Sequence, residues 1–139
     1  TLRRWRDADF LPVPFRFSAG KAMRNPDDLA VYRLANEVAH EIYDVISGFP
    51  DQERYGLTSQ MSRAAVSVFS NLAEGCSRSS QKDFARFVEM SLGSAMELRS
   101  QLAFAASRGW LPSLEEGSVV QARVSLLVQT IIRFQKGLR

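Results

Sequence analysis

The chain has 139 residues, of which 45% are hydrophobic and 24% charged, and a formal net charge of +3. These values exclude a disordered or fibrous chain and fit one globular domain able to bury a core. No apolar run approaches the ~20 residues of a membrane span, and the opening stretch TLRRWRDADF lacks the apolar centre of a secretion signal. The single cysteine, Cys76, forms no internal disulfide and suits a reducing cytoplasm.

Residues 1–26 read as a basic, aromatic arm. FLPVPFRF contains two prolines, which exclude a helix and favour extended backbone. Residues 27–139 read as an antiparallel, up-and-down four-helix bundle of the all-α class. Asp27 and Asp28, after Asn25-Pro26, place acids at the positive end of a first helix. Leu29, Tyr32, Ala35, Val38, Ala39, Ile42, Tyr43 and Ile46 then recur three and four apart as a buried stripe. Gly48-Phe49-Pro50 stops it.

A second helix runs from Leu57 to about Gly75, burying Met61, Ala64, Ala65, Val68 and Leu72. The serines of Ser77-Arg78-Ser79-Ser80 cap a third, which carries Phe84, Phe87, Val88, Ala95, Leu98 and Leu102 and reaches Arg108. Ser113-x-x-Glu116 is a capping box and opens a fourth helix with Val120, Val124, Leu127 and Ile131. Short connections between amphipathic helices make sequential helices antiparallel neighbours.

Charge is unevenly spread along the chain. Residues 1–24 carry a net +4, residues 25–116 a net −5, and the residues after Glu116 another +4. Basic ends on an acidic middle suit a phosphate-bearing partner or the acidic middle of a neighbouring copy. The candidate nucleic-acid contacts are Arg3, Arg4, Arg6, Arg16, Lys21, Arg24, Arg133, Lys136 and Arg139, with Trp5 available to stack.

A polar row runs along the second helix: Gln60, Arg63, Ser67, Asn71 and Glu74 share one face. Ser94, Glu97 and Gln101 do the same on the third. Three uses are open to such a row: a seam between helices or subunits, a ligand seat, or a solvated face. The seam is favoured by charge complementarity. A turn near residue 78 sets Arg63 opposite Ser94 and near Glu97, Asn71 opposite Arg86, and Glu74 opposite Lys82. Gly93 costs about 1 kcal/mol inside a helix relative to Ala, which predicts close approach of another backbone there.

No catalytic constellation emerges. Glu37-Val-Ala-His40 has the Glu-x-x-His spacing of di-iron bundles, but such a centre needs two of these motifs and His40 is the chain's single histidine. It reads as part of a solvated face. Cys76 reads as an ordinary small residue, and Ser77, Ser79 and Ser80 as caps. No metal, cofactor or enzymatic activity is expected.

The stretch YGLTSQMSRAAVSVFSNLAEGCSRSSQKDFARFVEMSLGSAMELRSQL closely resembles the 23S rRNA intervening-sequence, or S23, proteins. Tyr55, Gly56, Leu57, Gln60, Arg63, Ala64, Ala65, Ser67, Asn71, Ala73, Glu74, Gly75, Arg78, Lys82, Phe84, Gly93, Ser94, Glu97 and Leu98 match the family pattern. Ser62 replaces the first of its paired arginines, and Phe69 its usual proline. The resemblance implies a bundle assembled as a ring-like homopentamer, without catalysis, with RNA or a nucleic-acid enzyme such as a reverse transcriptase as partner. The expectation is therefore an oligomeric RNA-binding bundle. Its rival is a protein–protein scaffold or accessory subunit with no direct nucleic-acid contact.

Overall fold

The computed structural model describes residues 24–138. Of the expected arm, all but Arg24, Asn25 and Pro26 lies outside the described residues, as does Arg139. Four helices follow in order: α1 Ala30–Ile46, α2 Leu57–Cys76, α3 Gln81–Ser107 and α4 Leu114–Gly137. Among the described residues there is no strand.

The helix starts follow local chemistry. The Asn25 side chain accepts from the Asp27 N–H, but it opens a short 3-10 turn over Pro26–Asp28. Leu29 is then extended, so α1 proper begins at Ala30 and not at the two aspartates. Ser80 Oγ accepts from the Asp83 N–H at the start of α3. Ser113 Oγ accepts from the Glu116 N–H at the start of α4, which is one half of a capping box. A second 3-10 turn, Asp51–Glu53, joins α1 to α2, and Glu53 Oε2 there accepts from the Leu57 N–H.

Each helix contacts its sequence neighbours, and α1 closes on α4. Contact positions descend on one helix as they ascend on the next. Ser67 meets Ser94, while Gly75, nearer the turn, meets Phe84 and Phe87. Phe84 at the start of α3 stacks edge-on to Phe134 at the end of α4. The bundle is thus up-and-down. Its centre is filled by Ile42, Met61, Leu72, Phe84, Leu98, Leu102, Leu127 and Ile131, all essentially without exposure. Each such side chain contributes about 1.5–3 kcal/mol by leaving water.

Tyr43, expected in the buried stripe, is 50% exposed because it lies off the face that Ile42 and Ile46 turn to the core, and two packing details also differ from the sequence reading. The α2–α3 register is displaced by about one turn: Ser94 lies against Ser67 and not Arg63. A register set from the loop midpoint ignores packing. Here Gly75 leaves room for Phe84 and Phe87, with a Cβ at that position falling 2.9 Å from Phe87 Cβ, and that fit sets the level of α3. The second concerns Gly93. It was expected at a close backbone approach, but a Cβ there would meet no atom within 4 Å.

Candidate nucleic-acid interface

The polar row divides into an inner and an outer part. Ser67 Oγ and Ser94 Oγ lie 2.7 Å apart across the two helices. Asn71 Nδ2 donates to Ser67 Oγ at 3.0 Å and to the Ser67 carbonyl at 2.9 Å. Beside them Ser91, fully buried, donates to the Val68 carbonyl at 2.7 Å. The row read from sequence did not include Ser91; an isolated serine on an otherwise apolar helix face is its signal.

The outer members behave differently. Gln60, Arg63, Glu74, Lys82, Arg86 and Glu97 are exposed, and Gln101 is half-buried. Glu74 pairs with Arg78 on its own helix end and not with Lys82. Gln101 Nε2 donates to Glu97 Oε1 along α3 at 3.1 Å. The cross-helix pairs expected for Arg63, Asn71 and Glu74 are not formed. Exposed ion pairs gain too little to hold long side chains across a helix boundary, and the displaced register removes the facing positions.

A charged clamp that sequence reasoning missed joins α1 to α4. Arg123 Nη2 reaches Glu37 Oε2 at 2.9 Å, and its Nε reaches Glu41 Oε1 at 2.6 Å. The face around Glu37 and His40, expected to be solvated, is therefore pinned by an arginine. Arg123 was legible only as a basic residue without a nearby acid in sequence. Among the described residues no three metal-ligating side chains gather.

The fold also relocates charge. The Arg24 N–H donates to the Cys76 carbonyl at the C-terminus of α2, so Arg24 docks beside the α2–α3 turn. The last turn of α4 lies at the same end, because Lys82, Asp83, Arg86 and Glu89 share a cleft of about 390 Å³ with Gln135 and Leu138. Arg24 and the last turn of α4 therefore lie at one end, together with Lys82 and Arg86.

The cations there fall into two groups. Arg24 is engaged: its guanidinium lies 4.0 Å from the Phe84 ring centre and bonds Gln81 Oε1 at 2.5 Å. Arg78 is held by Glu74. Lys82, Arg86, Arg133 and Lys136 are exposed and have no ion-pair partner among the described residues. Asp83 and Glu89 share their flank, and Asp27 and Asp28 lie on the α1 side of the same end. Beneath, burial pushes the Cys76 thiol up to about 11 despite the opposing Arg24 charge. It is a core residue held as a neutral thiol.

An up-and-down α-helical bundle that brings Arg24, the α2–α3 turn and the end of α4 together is the class this fold and site define. The chain belongs to the 23S rRNA-intervening sequence protein family, whose model matches residues 27–131. It is also similar to a crystal structure of a protein of unknown function from the S23 ribosomal protein family of Bacteroides thetaiotaomicron VPI-5482. The TM-score is 0.70 at 18% identity, covering 81% of this chain and 99% of that one, a likeness that speaks to fold alone. A search of curated proteins finds no match. No helix among the described residues is long and apolar enough to cross a membrane.

Proposed function

We propose that the protein is a non-catalytic, oligomeric bundle that binds RNA, or a complex containing RNA, through its basic end in the cytoplasm. The observation that carries this reading is that Lys82 and Arg86 of α3 lie at the end of the bundle where Arg24 docks and where α4 finishes with Arg133 and Lys136. Lys82, Arg86, Arg133 and Lys136 have no ion-pair partner among the described residues, so phosphate contact costs no existing ion pair. Arg3, Arg4, Trp5, Arg6, Arg16 and Lys21 precede the chain's entry at this end and extend the candidate set. Arg24, already committed to Gln81 and Phe84, serves chiefly to fix that entry.

A homopentamer is the assembly proposed for it. Supporting this, the outer faces of α3 and α4 expose Met90, Met96, Phe104, Val119 and Leu126, and Gly93 lies open among them. The same faces favour the second reading, an accessory subunit whose partner is a protein. A direct test is the affinity of a structured RNA for wild type and for Arg133→Glu/Lys136→Glu, with light scattering on both. The proposal expects at least about tenfold weaker binding with assembly intact. Unchanged affinity would favour the protein-partner reading.

A further inference from the structure

Leu11, Val13, Phe15 and Phe17 occupy alternate positions of FLPVPFRF. In the extended backbone that Pro12 and Pro14 favour, alternate side chains share a face. One face of the segment is thus wholly apolar, and the other carries Pro12, Pro14 and Arg16. An apolar face of this size is driven to find cover from water. Sheet pairing does not suit it, because two prolines remove ladder donors and the described residues contain no strand. A groove between helices does. An extended chain laid there makes no ladder, and Pro12 and Pro14 bring no N–H to leave unpaired.

The bundle has such a groove, and it starts where Arg24 is held. The Arg24 side chain bonds Gln81, the first residue of α3. From there the α3–α4 seam runs past the cleft lined by Asp83 and Gln135 to a second hollow of about 590 Å³. Met96, Ser100 and Ala103 line this hollow from α3, and Ser125 from α4. The short side chains of Ser100, Ala103 and Ser125 leave the space. Met96 is 45% exposed at its wall, and buried Leu102 closes it on the core side. Methionine adapts its shape to whatever packs on it. Arg99 borders the hollow, and an apolar face turned inward carries Arg16 away from that cation.

The reach matches. Phe17 lies seven residues before Arg24, about 22 Å at the rise of an extended proline-rich chain. Met96 lies fifteen residues beyond Gln81, about 22 Å along α3.

We infer that Leu11, Val13, Phe15 and Phe17 pack into the α3–α4 seam of their own chain, with Phe15 and Phe17 in the hollow beside Met96. A short tether sets a millimolar effective concentration, which favours the chain's own seam over a neighbour's. RNA binding is not required for this packing. Met90 and Phe104 stand on the α2 side of α3, a turn from Ser94 and Gln101, so that shoulder stays open for assembly.

The test is disulfide trapping in the full chain. Val13→Cys is combined with Ser100→Cys in the seam, or with Ser70→Cys on the exposed face of α2 as control, each with Cys76→Ala. In oxidised glutathione the seam pair is expected to close within one chain at least about tenfold faster than the control pair. The product is read as a fast-migrating monomer on a non-reducing gel. Equal rates would overturn the inference, and so would a product joining two chains. Should Cys76→Ala lose its helical circular dichroism, the pairs are run with Cys76 in place, since its buried thiol reacts slowly. A second readout needs no trapping. In Ser100→Cys alone, adding Phe15→Asp/Phe17→Asp is expected to speed alkylation of the new thiol about fivefold or more. An unchanged rate would overturn the packing.

Discussion

Ser67 and Ser94 face each other across α2 and α3 with their hydroxyls 2.7 Å apart, and Asn71 closes on Ser67 from one turn away. Together with the Ser91 bond to the Val68 carbonyl, this contact holds the two helices at the level that the fit of Phe84 and Phe87 over Gly75 sets. Hydroxyls of this kind add modest stability, about 0.5–1.5 kcal/mol each, but they penalise any register that separates them. Ser94→Leu is expected to destabilise by about 1–3 kcal/mol, since an enlarged side chain must push the helices apart. Ser91→Ala should cost at most about 1.5 kcal/mol, the hydrogen bond alone. Urea denaturation of both variants checks the contrast.

The two glycines in this helix pair predict opposite outcomes. At Gly75 a Cβ would stand 2.9 Å from Phe87 Cβ and 3.0 Å from Phe84. Gly75→Ala is therefore expected to lower stability by about 1–3 kcal/mol despite alanine's better helix propensity. At Gly93 no atom obstructs, and Gly93→Ala should raise the stability of an isolated bundle by up to about 1 kcal/mol. If the α3 face is an assembly interface, Gly93→Leu should lower the mass seen by light scattering while its helical circular dichroism is retained.

Arg123 serves two carboxylates. Its Glu41 partner is 14% exposed and Glu37 is 56% exposed. Arg123→Met leaves Glu41 largely shielded without its cation, at an expected cost of about 1–2 kcal/mol, between the exposed and buried limits. The loss should shrink at about 1 M salt, where screening already weakens the Glu37 side of the clamp. Thermal melts at low and high salt measure it.

Cys76 makes stability fall at alkaline pH. Burial holds its folded-state value near 11 against an ordinary 9.0. Between these values the unfolded chain releases a proton that the folded chain keeps, so stability is complete below pH 9 and declines as pH rises through 11. Cys76→Ala should remove this part of the decline, and alkylation of native protein at pH 8 should be slow.

Helix positions were legible because the apolar residues of α1, α2, α3 and α4 recur at one period, and Ser80 and Ser113 announce two of the starts. The level of α3 against α2 was not, since it depends on how Phe84 and Phe87 fit over Gly75, a three-dimensional match with no linear signature. The site was half legible. Charge counted along the chain put Lys82 and Arg86 in an acidic middle, whereas folding carries them to the end shared by Arg24 and the last turn of α4. Arg123 looked unpaired because its acids lie 86 and 82 positions away. The cross-helix charge pairs failed because Arg63, Glu74 and Glu97 remain in water.

The most direct measurement is the dependence of RNA affinity on salt for the full chain. With Lys82, Arg86, Arg133 and Lys136 each displacing a counterion, log affinity should fall against log salt with a slope of about −3 to −4 or steeper, and reversing those four charges should flatten it. A wild-type affinity indifferent to salt, or an unaltered slope in the fourfold variant, would contradict the assignment of the basic end.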